Sequence, residues 1–466
     1  MKNALLIFAF LSFYLSSVHA SVEIRSNKLT TGDGLANNSI RYMFQDSKGF
    51  MWMGTVNGLS YYDGNSFVSI YPDPNLPISL ADPRIRNMEE DSNGFLWIAT
   101  LSSLYSCYDL KHGRFVDFTG CGEYKQSYSK KIIASDQSIW LWDNNNGCRR
   151  VVYQDGQFSS QAYKKELGNL SSDKVLFVYE SNDSPGHVWI GTKQGLWKYH
   201  DGKLEAMDTQ GESWEHIFSY DQYTCIITGK KEIYRHSLSN NRLEKIASLT
   251  ELGDTGVITG SLRLQHQWVM FTATGSYILD PVTGKLRRFS RLNIKNGNVT
   301  RDNKGNAWVH NYTGNVWYVN TSTGDIKHFQ FLSSEHLGYI DVERYSIIHD
   351  SRDIIWITTY GNGLFAYDLN TGDLQHFTFE VSHSSHINSN YLQYIIEDRS
   401  GGIWVSSEFS GLSHLEILNK GTLRIYPNGE DASDRSNTIR MLLRGKNGNV
   451  YMANRMGTLY EYDADL

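Results

Sequence analysis

A repeat with a period near 44 residues runs through this chain, and it constrains the fold more than any other feature. Residues 40–63 read IRYMFQDSKGFMWMGTVNGLSYYD, and residues 85–109 read IRNMEEDSNGFLWIATLSSLYSCYD. Related copies occupy 177–201, 345–368 and 392–412. The shared pattern is an apolar strand, D-x-x-G, x-x-W-x-x-T, x-x-G-L, then an aromatic-rich strand ending in Asp. The repeat tryptophan falls at Trp52, Trp97, Trp140, Trp189, Trp268, Trp308, Trp356 and Trp404. Cys225 takes that slot in an eroded copy, and Tyr451 takes it in the last. Successive slots lie 36 to 49 residues apart, so the connections vary while the repeat core is kept.

Each copy holds four short strands, at about 40–45, 50–55, 59–63 and 67–71 in the first. Ile, Val, Tyr and Trp suit a pleated, half-buried surface. The D-x-x-G pieces are tight turns in which Gly supplies positive φ. A second hairpin turn recurs at Asp63-Gly64-Asn65, Asp201-Gly202-Lys203 and Thr371-Gly372-Asp373. Four strands per repeat make one propeller blade, and a blade buries its faces only against neighbouring blades. The repeat tryptophans are therefore packing residues. The fold class is all-β, a β-propeller of four-stranded blades with about ten repeats. Composition agrees: aromatic residues are 13%, Gly numbers 40, and the charge of −6 includes no basic run that would suit nucleic acid.

The first twenty residues read as a secretory signal peptide. Lys2 is followed by the apolar stretch 4–18, and Val18-His19-Ala20 offers small residues at the cleavage positions. The alternative is an uncleaved anchor, for which the stretch is short. Export permits disulfides among Cys107, Cys121, Cys148 and Cys225. Their spacing matches no metal motif, and buried free thiols are the alternative.

The pattern D-x-x-G-x-x-W-x-G-T-x-x-G-L-x-x-Y-D resembles the two-component regulator propeller repeat. Asp46, Gly49, Trp52, Gly54, Thr55, Gly58 and Leu59 carry it in full, as do Asp183, Gly186, Trp189, Gly191, Thr192, Gly195 and Leu196. The segments 31–40 and 387–391 also resemble such sensors, so the resemblance covers about residues 25 to 463. It implies the periplasmic ligand-sensing region of a hybrid histidine kinase. In that family two seven-bladed propellers precede a stalk, a membrane helix and a kinase, and oligosaccharides are typical ligands. Mapped here, residues 21–335 form a first propeller of about seven blades. Residues 336–466 form an incomplete second one of about three. A truncated gene or fragment is the favoured explanation. A partner chain that completes the ring is a second. The third has Val22–Arg25 supply the missing outer strand of one large ring, although propellers commonly have only about 4–8 blades.

Catalytic and metal motifs are weak. The repeated carboxylates Asp46, Asp91, Asp183, Asp302 and Asp398 lack a calcium loop and sit singly at hairpins. They also differ from the sialidase Asp-box, which separates Asp and Gly by one residue. The stretch Gly361–Ala366 matches G-x-G-x-x-A but precedes a strand, not a helix. His383 and His386 lack further ligands. No cofactor and no metal site is expected. The x-x positions of T-x-x-G are free of the repeat's demands, so ligand contacts are sought there and at unexplained tryptophans. The candidates are Asn57, Trp142, Asn144, Asn145, Gln194, Trp214, Tyr312, Tyr360 and Phe409, because amides bond sugar hydroxyls and aromatic faces stack on sugar rings.

The function expected is a periplasmic sensor propeller that binds an oligosaccharide or another small ligand, with the kinase module in missing or separate sequence. A homodimer is possible in this scheme. The alternatives are an exported binding or scaffold module without signalling, and a propeller glycosidase or lyase. None of these readings involves nucleic acid.

Overall fold

The computed structural model describes residues 22–462 apart from 120–127, 182–183, 209–212, 231, 239, 241, 255–256, 303, 312–314, 331–344, 381–386, 419–434 and 447. The signal-peptide stretch, Cys121, Asp183, Tyr312, His383 and His386 lie outside the described residues. Among those described, no helix is long and apolar enough to cross a membrane.

The chain divides into a large compact unit, Ser26–Glu416, and a small one made of Val22–Arg25 with Ile417–Leu466. Among the described residues, the large unit holds nine four-stranded sheets. In the first sheet the strands are Ile40–Gln45, Met51–Thr55, Leu59–Tyr62 and Phe67–Ile70, paired in chain order. The second to eighth sheets repeat this plan over 85–116, 130–163, 175–208, 214–248, 260–288, 298–330 and 346–377. The ninth combines Leu392–Glu397, Ile403–Ser407 and Leu412–Leu418 with the N-terminal strand Glu23–Leu29 at its outer edge.

Each sheet buries its apolar faces against the next. Trp52 and Leu59 of the first pack on Ile85 and Met88 of the second. Trp97 meets Ile139 and Leu141, Trp140 meets Val175 and Ile190, and Trp308 meets Ile347 and Ile355. The ninth sheet then packs on the first, where Trp404 and Leu412 join Ile40, Met43 and Met51. The nine sheets thus close on themselves. The Trp308 cluster carries the core from the seventh sheet into the eighth. The small unit holds a three-stranded sheet, Ile439–Arg444, Val450–Asn454 and Leu459–Tyr462. Its Leu442 is 65% exposed, whereas the corresponding Met43, Met88 and Ile395 of the large unit are at 1%.

The D-x-x-G-x-x-W signature has a direct physical cause. Asp46 Oδ1 accepts the N–H groups of Lys48 and Phe50, and its Oδ2 accepts the indole N–H of Trp52 at 2.8 Å. The same bond joins Trp97 to Asp91, Trp356 to Asp350 and Trp404 to Asp398 at 2.8, 3.0 and 2.7 Å. One carboxylate therefore closes the turn and satisfies the buried indole six residues on. Asp398 also bears on pH. Burial acts to raise its pKa, but the nearby His414 ring and hydrogen bonds from Ser400, Trp404 and Gly402 outweigh it and hold the carboxyl below its ordinary 3.8. The unfolded chain therefore binds this proton first. The stability it contributes is complete above pH 4 and lost as pH falls below that. In an acid titration followed by tryptophan fluorescence, Asp398→Asn is expected to flatten the dependence below pH 4.

The thiols of Cys107 and Cys148 are free and buried, and burial pushes both pKa values up; Cys225 is buried as well.

Candidate ligand site where the ninth sheet meets the first

The T-x-x-G turn explains which positions are free to serve a ligand. Thr55 Oγ1 donates to the Gly58 carbonyl at 2.7 Å and accepts the Asn57 N–H at 3.1 Å. Thr192 repeats this with Gly195 and Gln194, and Ser407 with Gly411 and Ser410. The hydroxyl fixes the backbone, so the repeat itself makes no demand on the intervening side chains.

At the junction of the eighth, ninth and first sheets these turns gather a polar and aromatic cluster. Arg41 and Gln393 hold the second positions of two adjacent inner strands, Ile40–Gln45 and Leu392–Glu397. The Arg41 guanidinium donates to Glu408 Oε1 at 2.8 Å and to Gln393 Oε1 at 3.4 Å. The Gln393 amide donates in turn to the other Glu408 oxygen. The Glu408 backbone N–H donates to the Tyr391 carbonyl at 2.9 Å. Tyr360, from the eighth sheet's turn, bridges to Tyr391 through the backbone, and their rings meet edge-on with centroids 5.3 Å apart. Burial raises the Tyr360 phenol pKa, the Glu408 carboxylate adds to this, and Arg41 opposes it. Phe409 stands beside Glu408 and is 70% exposed. A carboxylate, a guanidinium and an amide are thus fixed next to an exposed aromatic face. The charges balance, which suits a neutral polyhydroxylated ligand over an ion.

Of the residues singled out from sequence, Tyr360 and Phe409 come together here. Asn57, Asn144, Asn145 and Gln194 are exposed in turns of the first, third and fourth sheets. Trp142 and Trp214 differ from expectation. They are 6% and 1% exposed, and both serve the core: Trp142 packs with Trp140, Cys148 and Tyr163, and Trp214 with Trp189, Cys225 and Ile227. Tyr312 lies outside the described residues. Sequence reasoning missed Arg41 and Gln393; the one signal was a polar residue in second place on an otherwise apolar inner strand.

A second cleft, of about 660 Å³, opens at the same seam among Gln45, Asp63, Asp398, Arg399, Trp404 and His414. Its main groups are already engaged, Arg399 with Gln45 and Ser47, and Asp398 with Trp404 and Ser400. It serves the joint between sheets. No cluster of His, Cys, Asp and Glu able to hold a metal occurs among the described residues.

The family model described as two component regulator propeller matches residues 34–57 and 79–102, which span the start of the first and second sheets. Those two segments therefore match the two-component regulator propeller repeat, within a fold of four-stranded sheets. Solved structures give weaker likenesses. The extracellular domain assigned to the hybrid two component system BT3049 of B. thetaiotaomicron is 16% identical with a TM-score of 0.37, over 94% of this chain and 65% of that one. For the corresponding domain of BT4673, from the same organism, the values are 16%, 0.39, 96% and 59%. The Dos1 propeller gives 10%, 0.48, 84% and 94%. The chain thus spans less than two thirds of the length of the two bacterial domains. No curated protein matches.

Proposed function

We propose that this chain is the periplasmic sensing region of a two-component system, and that it binds an oligosaccharide where its ninth and first sheets meet. The observation that supports the ligand class is the exposed Phe409 beside the fixed array of Arg41, Gln393 and Glu408. A sugar ring would stack on Phe409 while its hydroxyls share the unused donor and acceptor positions of the array. The match to two-component regulator propeller repeats supports the sensing role. A ligand that bridges the two sheets favours the closed seam, and that differential affinity is the signal for a kinase module.

The test is a fluorescence titration of the purified protein with tetrasaccharides of glucose, mannose and xylose. At least one is expected to saturate, and Phe409→Ala is expected to weaken that binding about tenfold or more, the size of a lost aromatic stacking contact. An unchanged affinity in Phe409→Ala would place the sugar elsewhere. Failure of all three sugars to saturate would remove the carbohydrate reading and leave a binding or scaffold module.

A further inference from the structure

On the face that carries the D-x-x-G turns, neighbouring sheets are joined by a recurring polar latch. Ser47 donates through its N–H and its hydroxyl to the Glu90 carboxylate, both at 2.6 Å. Ser135 holds Glu180 in the same way at 2.6 and 2.7 Å, and Ser351 holds Glu397 at 2.9 and 2.6 Å. The Ser92 hydroxyl donates to Gln137 Oε1 at 2.6 Å. Where the ninth sheet meets the first, the Arg399 N–H donates to Gln45 Oε1 at 2.9 Å. One sheet offers a donor from its turn and the next offers an acceptor. In three of these latches the acceptor directly precedes the turn Asp, at Gln45, Glu90 and Glu397.

The seam between the sixth and seventh sheets inverts this chemistry. Arg301 directly precedes Asp302 and pairs with Ala307, just as Glu90 pairs with Leu96 and Glu397 with Ile403. A donor stands where those three seams place an acceptor. Facing it from the sixth sheet are Arg263, Gln265 and His266, and Thr321 and Ser322 complete a cleft of about 510 Å³. All six side chains carry donors, although Gln265 Nε2 already bonds the Thr323 carbonyl and Thr321 Oγ1 the Gly305 carbonyl, and among the described residues no carboxylate lines the cleft. Arg263 is held in place: it donates to the carbonyls of Tyr220 and Gln265 at 2.8 and 3.0 Å, and its guanidinium lies 5.4 Å from the Tyr220 ring centroid. Two guanidinium groups are thus presented to one cleft without a counter-charge.

We propose that this cleft binds a tetrahedral oxyanion, a sulfate or phosphate, either free or as an ester on a larger molecule. The anion supplies the acceptor that the seam lacks and bridges Arg301 to Arg263 and His266. The inference is independent of the sugar reading, since it concerns another seam and other residues.

Thermal unfolding of the whole chain tests it, with sodium sulfate and sodium phosphate compared against sodium chloride at equal ionic strength. Sulfate or phosphate is expected to raise the midpoint saturably at millimolar concentration, beyond chloride. Arg301→Ala, a substitution on an exposed side chain, is expected to weaken that response about tenfold or more. Arg301→Glu rebuilds the latch acceptor. It is expected to raise the midpoint without any added anion and to abolish the response. Galactose 6-sulfate against galactose separates the sources: tighter binding than inorganic sulfate assigns an ester, and equal or weaker binding assigns the free ion. The proposal is overturned if sulfate and phosphate act no differently from chloride, or if Arg301→Ala responds like the native chain.

Discussion

Asp46→Asn is expected to destabilise the protein by about 2–4 kcal/mol, although it changes one atom in a buried turn. The Asn carbonyl can still accept from Lys48 and Phe50, so the turn keeps its closure. Its amide then meets the indole N–H of Trp52, and two donors face each other where the carboxylate accepted at 2.8 Å. Trp52 is 1% exposed and Asp46 is fully buried, so no water can take over. The seventh sheet supplies the control. Asp302 has the same spacing to Trp308, and its Oδ1 accepts from Lys304 and Asn306. Its Oδ2 has no hydrogen bond, nor has the Trp308 indole; the buried His349 Nδ1 lies 3.5 Å from that oxygen. Asp302→Asn breaks no bond to an indole, so its loss should be smaller than that of Asp46→Asn. Urea unfolding of both variants measures the contrast. Equal losses at the two sites would mean that the carboxylate acts only through the turn.

That contrast also shows what the sequence could reveal. The repeat was legible because tryptophan, turn glycine and Asp recur at fixed offsets, and local hairpins turn such offsets into strands. The Asp–Trp bond was half legible: the six-residue spacing is constant, but the Asp was read only as a turn residue. Contacts distant in sequence were not legible. Arg41 reaches Glu408 and Gln393 across more than 350 positions, and nothing in any one repeat marks them as neighbours. Tyr360 and Phe409 could be singled out as candidates because T-x-x-G leaves those positions free. Trp142 and Trp214 misled because they fall outside the repeat slot. Trp214 is a core residue for a physical reason: Cys225 fills the slot of its sheet, and the larger indole packs beside it in the same cluster.

Gly411→Ala is expected to release the N-terminal strand. A Cβ on Gly411 would lie 2.3 Å from the Leu29 carbonyl oxygen, and its φ of +78° is already unfavourable to other residues. The equivalent glycines show what this contact is. A Cβ on Gly147 would lie 2.2 Å from the Tyr163 carbonyl oxygen, and one on Gly363 would lie 2.3 Å from that of Phe377. Tyr163 and Phe377 end the fourth strands of their sheets, as Leu29 ends the N-terminal strand. Leu29 therefore stands where a fourth strand ends, and the main-chain pairing of Ser26–Leu29 completes the ninth sheet. Main-chain pairing carries no side-chain signature, so this partner is invisible in the repeat pattern. The clash and the positive φ together should cost about 2–4 kcal/mol. In the third sheet Gly147→Ala loosens a strand held by its own hairpin. In the ninth, the strand has no short connection to keep it near, so the same cost should detach it. Hydrogen exchange of the amides in 26–29 then rises sharply in Gly411→Ala and stays at the native level in Gly147→Ala. The freed edge at Leu412–Glu416 should also make the variant prone to aggregate. Native-like protection of 26–29 in Gly411→Ala would show that the strand stays paired despite the clash, and would overturn the prediction.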